Sequence, residues 1–332
     1  MSLFPEIIRI MAYVVGVLAF VGLNAAFLVW LERKVAGHIQ RRIGPKEVGP
    51  FGVLQPVADG IKLISKQLVV PAQADSLLFR LSPVLTMTLA VTVFVVLPFG
   101  PSLVARDINI GLLLIFAFLS INVLALFIGG WGSNNKYAVV SAIRAVSQNV
   151  AYEVPMLIIV ITMVMITSSM NLNVIVSQQG NLLQWHIFPW NGSILSPLAF
   201  LIFFVCTLAE TNRAPFDLGE AESELVAGFH TEYSGMGFGL FFLGEYASVF
   251  VGCALASILF LGGWQCPLGI MPGVHWMLIK TYLLVFVVIW VRWTFPRTTL
   301  YGLLNLSWKV LVPFSLVILL VTAAQLKMPW PF

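Results

Sequence analysis

The stretch AETNRAPFDLGEAESELVAGFHTEYSGMGFGLFFLGEYASV, residues 209–249, holds half of the 14 acidic residues of a chain in which only 10% of residues are charged. Apolar segments flank it, so its carboxylates converge on one membrane surface, and Glu245 continues inward along the next apolar segment. Ionisable groups are expensive inside a bilayer and are usually placed there for a function. We therefore expect these acids to carry the chemistry of the protein.

Composition excludes a soluble globular domain, because 59% of the 332 residues are hydrophobic and the mean hydropathy is +0.96. Several apolar runs approach the roughly 20 residues that cross a hydrocarbon core. Residues 10–31 are long enough to span and lack a cleavage site, which indicates a retained helix rather than a signal peptide. The predicted spans are 10–31, 81–100, 110–131, 150–169, 194–212, 236–262, 277–293 and 306–326.

Lys and Arg residues concentrate in alternate connections between these spans. The connections 32–80, 132–149, 213–235 and 294–305 contain them, whereas the others hold only Arg106. Because positive residues favour the cytoplasm, both termini are predicted to lie outside. The net charge of +4 is explained by this topology and does not indicate a nucleic-acid partner.

The first cytoplasmic connection, 32–80, contains apolar residues three and four positions apart, from Val53 to Ile64. This spacing predicts an amphipathic helix lying along the interface, and the Gly-Pro pairs before it predict turns. A short surface helix is expected within 171–192. The fold class is therefore all-α integral membrane protein, with about eight transmembrane helices, an interfacial helix and one polytopic domain over 1–332.

Four acids from four spans run from the cytoplasmic rim towards the membrane centre. Glu32, Glu153 and Glu210 lie at the inner ends of their spans, and Glu245 lies roughly 14 Å into the sixth at 1.5 Å per residue. Glu153 and Glu210 could simply pair with a cation such as Arg33, Arg144 or Arg213. Glu245 has no Lys or Arg nearby on its own span, so we expect an uncompensated carboxyl that favours its neutral form and suits proton transfer.

Glu220, Glu222 and Glu224 have the composition of a solvated acidic run. Small and apolar residues separate them, however, and the aromatic and histidine residues that follow are unusual for a solvent-facing loop. Both interpretations stay open. For Arg33, an interfacial anchor is the simpler alternative.

The sequence contains no redox or metal motif. Cys206, Cys253 and Cys266 lack ligand spacing and are predicted to be packing residues, His230 has no second ligand at a suitable distance, and no CxxC or glycine-rich phosphate loop occurs. Electrons, if they are involved, must come from another chain.

Several motifs together resemble one family over nearly the whole chain. They are Glu32–Val35, Gly44-Pro45 through Gly49-Pro50, Leu54–Gly60 with Lys62-Leu63, Gly130-Trp131, Ser133–Tyr137, Ile143–Ala145, Tyr152–Pro155, Ser307–Lys309 and Ala209 through Tyr246. The chain resembles the quinone-site membrane subunits of respiratory complex I, called H in bacteria and subunit 1 in mitochondria.

The resemblance implies a proton-pumping NADH:quinone oxidoreductase in which this chain walls the quinone chamber and is not catalytic alone. Quinone would be the substrate, and the iron–sulphur clusters and FMN would belong to partner subunits. Partners would include the iron–sulphur and quinone-site peripheral subunits, small membrane subunits, antiporter-like subunits and membrane lipid. The implied proton-route residues are Glu32, Asp59, Glu153, Glu210, Glu220, Glu222, Glu224 and Glu245, and the implied quinone-chamber residues are Arg33, Phe216 and Arg292.

The chain departs from the family pattern in its cytoplasmic connections. The departures are Lys46-Glu47, Gln67, Thr299 and Tyr301. Because such connections would dock partner subunits while the buried acids are kept, the sequence favours an intact proton-coupling part over a particular electron donor.

Three other functions are compatible with parts of the sequence. A related membrane-bound hydrogenase would keep the fold without quinone. An independent transporter is disfavoured because we find no inverted repeat. A purely structural anchor would leave an acid such as Glu245 at mid-membrane unexplained.

Overall fold

The computed structural model describes residues 3–219 and 222–327, and every regular element in these ranges is helical. The helices are α1 (Leu3–Ile39), α2 (Gln55–Ser65), α3 (Ser76–Val93), α4 (Gly111–Gly132), α5 (Lys136–Thr167), α6 (Leu172–Ser177), α7 (Ser196–Glu210), α8 (Glu222–Leu225), α9 (Gly235–Phe260), α10 (Val274–Thr294), α11 (Leu300–Leu306) and α12 (Val312–Lys327).

Seven of these helical segments are long and apolar enough to cross a membrane, with α11 and α12 counted as one continuous segment. The predicted fifth span corresponds to α7, which is apolar but has only 15 residues. The structure therefore confirms an all-helical, multi-spanning chain, and the exact number of spans stays a prediction.

The central helix of the bundle is α9. Every residue from Val249 to Phe260 is buried, and α9 contacts α1, α2, α3, α6, α7 and α10. Close approach depends on glycine at Gly252, where an added Cβ would lie 2.3 Å from the Thr207 methyl group of α7. Small residues allow such contacts between membrane helices, where dispersion replaces the hydrophobic effect as the driving force.

The amphipathic helix predicted in the first connection is α2. It contacts α1 and α9, whereas its apolar side chains Val57, Ile61 and Ile64 are 49%, 64% and 69% exposed. An apolar helical face that is not covered by protein is typical of a helix that lies in a membrane interface. The predicted surface helix within 171–192 is also present, as α6.

A short π-helical turn, Ser307–Leu311, joins α11 to α12. Pro313 lies at the start of α12 and has no amide hydrogen, which favours a break in the regular hydrogen-bond ladder. The Ser307 hydroxyl donates to the Ala151 carbonyl oxygen of α5 at 2.5 Å, which anchors the turn against the bundle.

Lys280 of α10 holds the connection that follows α9. Its ammonium group is buried and donates to the carbonyl oxygens of Leu261 at 2.6 Å, Gly263 at 3.0 Å and Gln265 at 2.7 Å. It also lies 4.3 Å from the centre of the Trp185 ring. A cation near the carbonyl end of a helix interacts favourably with the helix dipole.

We predict that Lys280→Met destabilises the protein by about 1–3 kcal/mol, since buried carbonyl oxygens would lose their donor. The measurement is the thermal unfolding midpoint of the purified protein in detergent. Lys327→Met is the matched control because Lys327 is exposed. Equal midpoints for wild type and both variants would show that the Lys280 contacts add nothing to stability.

Candidate functional site

The carboxylate of Glu32 is the centre of a buried charged cluster. Its Oε1 accepts from Arg292 Nη1 at 2.5 Å, and its Oε2 accepts from Arg213 Nη1 at 3.1 Å and from the Tyr246 hydroxyl at 2.7 Å. Glu32 and Arg213 are only 6% and 3% exposed. Burial of a charge at this depth is tolerated only with such partners.

Arg213 joins this carboxylate to a second one. Its Nε lies 2.9 Å from Glu245 Oε1, and its guanidinium carbon lies 4.3 Å from the centre of the Tyr246 ring. We call Glu32, Arg213, Glu245, Tyr246 and Arg292 the bridged cluster. Glu32 comes from α1, Glu245 and Tyr246 from α9, and Arg292 from α10, whereas Arg213 lies in the segment that follows α7. The bundle must therefore be assembled before the cluster can form.

The expectation that Glu245 has no compensating cation is wrong. Its own span supplies none, but the fold brings Arg213 in from the preceding connection. Glu153 and Glu210 show the converse, because no Lys or Arg of the described residues forms a salt bridge with either. The cations considered for them pair elsewhere in the structure.

A polar cavity of about 40 Å³ adjoins Glu245. Glu210 and Glu245 both contribute to its wall, so one small cavity connects two of the predicted acids. Its other polar lining residues are Thr86, Asn122, Asn149, Thr207, Thr211, Asn212, His230 and Ser248. The amide oxygens of Asn122 and Asn149 are buried and have no hydrogen-bond partner among the described residues.

Glu153 continues this line of acids towards α4. It lies one helical turn after Asn149 on α5, and it accepts a short hydrogen bond from the Ser120 hydroxyl of α4. Its carboxyl also interacts electrostatically with that of Glu210. Glu153, Glu210 and Glu245 are therefore neighbours around one polar region.

The remaining acids lie nearer the surface. Asp59 of α2 pairs with Arg33 at 2.6 Å, and Glu224 pairs with Arg144 at 2.5 Å. The side chain of Glu224 is 55% exposed, which fits a solvated acid. Glu220 lies outside the described residues, as does the side chain of Glu222.

The three predicted quinone-chamber residues occupy different places. Arg292 belongs to the bridged cluster, and Arg33 faces Asp59 at the first connection. Phe216 is buried, with its ring centre 5.5 Å from that of Tyr152. The structure does not bring these three side chains together around a single cavity among those found in the described residues.

The segment after α7 is fixed in position by several contacts. Asp217 pairs with Arg297 at 3.3 Å, and the Thr298 amide donates to the Pro215 carbonyl oxygen at 2.9 Å. Gly228 has a φ of 63°, and an added Cβ there would lie 2.1 Å from the Gly219 carbonyl oxygen, so only glycine fits. These contacts place Arg213 between its two carboxylates.

Aromatic residues after the acidic run are buried, as their composition suggested. Tyr233 stacks on Phe79 with ring centres 4.1 Å apart, and its hydroxyl donates to the Phe79 carbonyl oxygen at 3.1 Å. Burial raises the pKa of the Tyr233 phenol, so this hydroxyl keeps its proton and serves as a donor. His230 is buried beside this pair and lines the polar cavity.

Sequence reasoning missed Asn122, Asn149, Tyr246 and the bridging position of Arg213. The two asparagines carried a signal, because they are amides within otherwise apolar helices. Arg213 carried a weaker one, as a single cation within the acidic stretch. Nothing local could show which carboxylates it meets.

The three cysteines are buried and free, which fits the prediction that they are packing residues. Among the described residues, no group of three or more His, Cys, Asp or Glu side chains has the arrangement of a metal site.

The sequence departs from the family pattern at five residues, and all five are exposed: Lys46, Glu47, Gln67, Thr299 and Tyr301.

The fold and the site define a polytopic membrane protein whose buried ion pairs and polar cavity lie between its helices. The sequence pattern of the NADH dehydrogenase family matches residues 12–323. The chain belongs to this family.

Relatives cover almost the whole chain. A protein of Desulfotalea psychrophila is 57% identical over 325 residues, which cover 97% of this chain and 98% of the relative. Proteins of Rhodospirillum centenum and Acidovorax sp. are 46% and 44% identical, over 96% and 98% of this chain and 94% and 92% of their own lengths. All three bear the name of the H subunit of NADH-quinone oxidoreductase.

We predict that Arg213→Met destabilises the protein by about 3–5 kcal/mol, because the buried carboxylate of Glu32 and the partly buried carboxylate of Glu245 would lose their shared cation. Adding Glu245→Gln should recover part of this loss, so the double variant is expected to be more stable than the sum of the single effects predicts. Thermal unfolding of the four proteins in the cycle provides the measurement.

Arg144→Met is the matched control for this cycle. The Arg144–Glu224 pair is shorter than either contact of Arg213, but its side chains are 27% and 55% exposed, so its loss should cost about 1 kcal/mol or less. If Arg213→Met were no more harmful than Arg144→Met, the bridged cluster would not depend on Arg213.

Proposed function

We propose that this chain is the quinone-site membrane subunit of a proton-pumping NADH:quinone oxidoreductase. It would form the membrane wall of the quinone chamber and begin the route that couples quinone reduction to proton pumping. Electrons would come from an iron–sulphur cluster of a partner subunit, and FMN would also belong to a partner. The names of the relatives support the quinone reaction.

The observation that carries the proposal is the position of Arg213 between Glu32 and Glu245. One guanidinium contacts both carboxylates, and Arg292 also contacts Glu32, so protonation of one carboxylate changes the electrostatic potential at the other. A change of charge beside Glu32 would therefore alter the proton affinity of Glu245. This is the physical requirement for coupling between a reaction on one side and a proton group on the other.

The polar cavity would carry the next step. A water molecule needs about 10–15 Å³, so a cavity of about 40 Å³ holds about three. The amide oxygens of Asn122 and Asn149, which have no partner among the described residues, would bind them. Water between Glu245 and Glu210 would permit proton transfer that neither carboxyl could make directly. Glu153 would then continue the route towards α4.

The full proposed route contains Glu32, Asp59, Glu153, Glu210, Glu220, Glu222, Glu224 and Glu245. The proposed quinone-facing residues are Arg33, Phe216 and Arg292. Arg33 and Asp59 lie where α1 meets α2, which has an exposed apolar face suited to the passage of an apolar substrate from the membrane. In this arrangement α2 borders the quinone entrance.

The proposed setting is the inner membrane of a bacterium. We infer eight spans with both termini on the periplasmic side and one domain over the whole chain, because Lys and Arg alternate between connections. The iron–sulphur and quinone-site peripheral subunits would dock on the cytoplasmic face, and small and antiporter-like subunits would adjoin it in the membrane.

We predict that Glu245→Gln abolishes coupled turnover, since the neutral amide cannot release a proton or neutralise Arg213. The measurement is reduction of a short-chain quinone by membranes that contain the native complex, with simultaneous proton uptake. Loss of both activities is the expected result. Quinone turnover that persisted without pumping would place Glu245 in the proton path but not in the quinone chemistry. Quinone turnover and pumping that both stayed at the wild-type level would contradict the proposed role of Glu245, and no quinone turnover in wild type would favour the hydrogenase-type reaction.

We predict that Glu210→Gln lowers the number of protons pumped per quinone reduced, because Glu210 shares the polar cavity with Glu245. The same membranes and the same two readouts apply. Glu47→Gln is the matched control, since Glu47 is an exposed acid outside the proposed route. Undiminished pumping in Glu210→Gln, with Glu47→Gln also normal, would contradict the route.

A further inference from the structure

An apolar groove lies along residues 12–20 of α1, and its walls contain no residue of the bridged cluster. It consists of two cavities of about 550 and 590 Å³, which share Tyr13, Val17 and Ala105 and therefore form one groove with two lobes. The first lobe extends along α3 past Met87, and the second extends towards Leu278 of α10. We call this the α1 groove.

The walls of the α1 groove are held by aromatic packing and backbone hydrogen bonds. The Phe20 ring meets Phe99 and Phe94 edge-on, with ring centres 5.1 Å and 6.0 Å apart. The Arg106 amide donates to the Val95 carbonyl oxygen at 3.1 Å, which closes the connection over the groove. The groove is therefore formed before any ligand binds, which lowers the entropic cost of binding.

Arg106 supplies the first lobe with a cation. Arg106 lines this lobe and is exposed, and no carboxylate of the described residues forms a salt bridge with it. The neighbouring carboxylate of Asp107 instead accepts from the Asn171 amide at 2.8 Å. An apolar groove that ends at an available guanidinium matches a ligand with long apolar chains and a phosphate.

We propose that the α1 groove is a binding site for one glycerophospholipid. Its phosphate binds Arg106, and its two acyl chains occupy the two lobes. The two-lobed shape argues against a transmembrane helix of a partner, because a helix with its side chains is about 10–12 Å across and would fill one broad channel instead. The site does not depend on the reaction proposed above.

The test uses the complete complex in vesicles that contain a phosphatidylglycerol with a photoreactive group on an acyl chain. Wild type should form cross-links within residues 12–20 and 87–95, which mass spectrometry of the peptides locates. Gly16→Leu should lower this labelling severalfold, because Gly16 lines the second lobe and an added Cβ there meets no atom within 4 Å. The new side chain therefore fills the groove without disturbing the fold.

Gly22→Leu is the matched control for the groove. Gly22 is on the same helix and is equally open to an added Cβ, but it lines neither lobe. Its labelling should equal that of wild type. Equal labelling of Gly16→Leu and wild type, or cross-links from this region to a partner subunit that fills the groove, would overturn the proposal.

A second arm tests the phosphate. Arg106→Gln should lower phosphatidylglycerol labelling severalfold and Arg106→Lys should restore it, whereas a photoreactive diacylglycerol with the same chains should not respond to either change. Lys327→Gln removes an exposed cation at the end of α12 and should have no effect. If Arg106→Gln labelled as strongly as wild type, the assignment of the lipid phosphate to Arg106 would be wrong.

Discussion

The structure depends on the pairing of buried charges between helices in a medium where an unpaired charge is costly. Moving a carboxylate from water into a low-dielectric interior costs several kcal/mol of solvation free energy unless a cation and further hydrogen bonds replace its hydration. Glu32 has two cations and a hydroxyl, and Arg213 has two carboxylates and an aromatic ring. These groups come from three helices, α1, α9 and α10, and from the segment that follows α7. Their pairing therefore also fixes how these parts of the bundle meet.

The same constraint separates two kinds of acid in this protein. Glu32 and Glu245 are compensated by Arg213, so each can respond to a change in the charge of the other. Glu153 and Glu210 have no such cation among the described residues and lie beside a polar cavity and a serine hydroxyl. In the proposed function, a change of charge would pass along this chain of compensated and uncompensated carboxyls.

The bundle has two regions with opposite character. The bridged cluster and the polar cavity lie between α9 and its neighbours, where small residues such as Gly252 bring the helices into close contact. The α1 groove lies along the N-terminal half of α1, where α3 and α10 leave apolar space beside it. Tight packing thus surrounds the charged groups, and the apolar space lies in a separate part of the bundle.

The class of the protein follows from its sequence alone. Hydropathy and the spacing of apolar residues predicted the helical spans and α2, and the density of acids in residues 209–249 marked the site, because these signals are local in the chain. The pairing of Arg213 with Glu245 does not follow from sequence, since the residues of one span carry no information about a cation on a neighbouring connection. Tertiary packing alone selects which carboxylates share a cation, which share a cavity and which remain at the surface, because each of these contacts joins residues that are far apart in the chain.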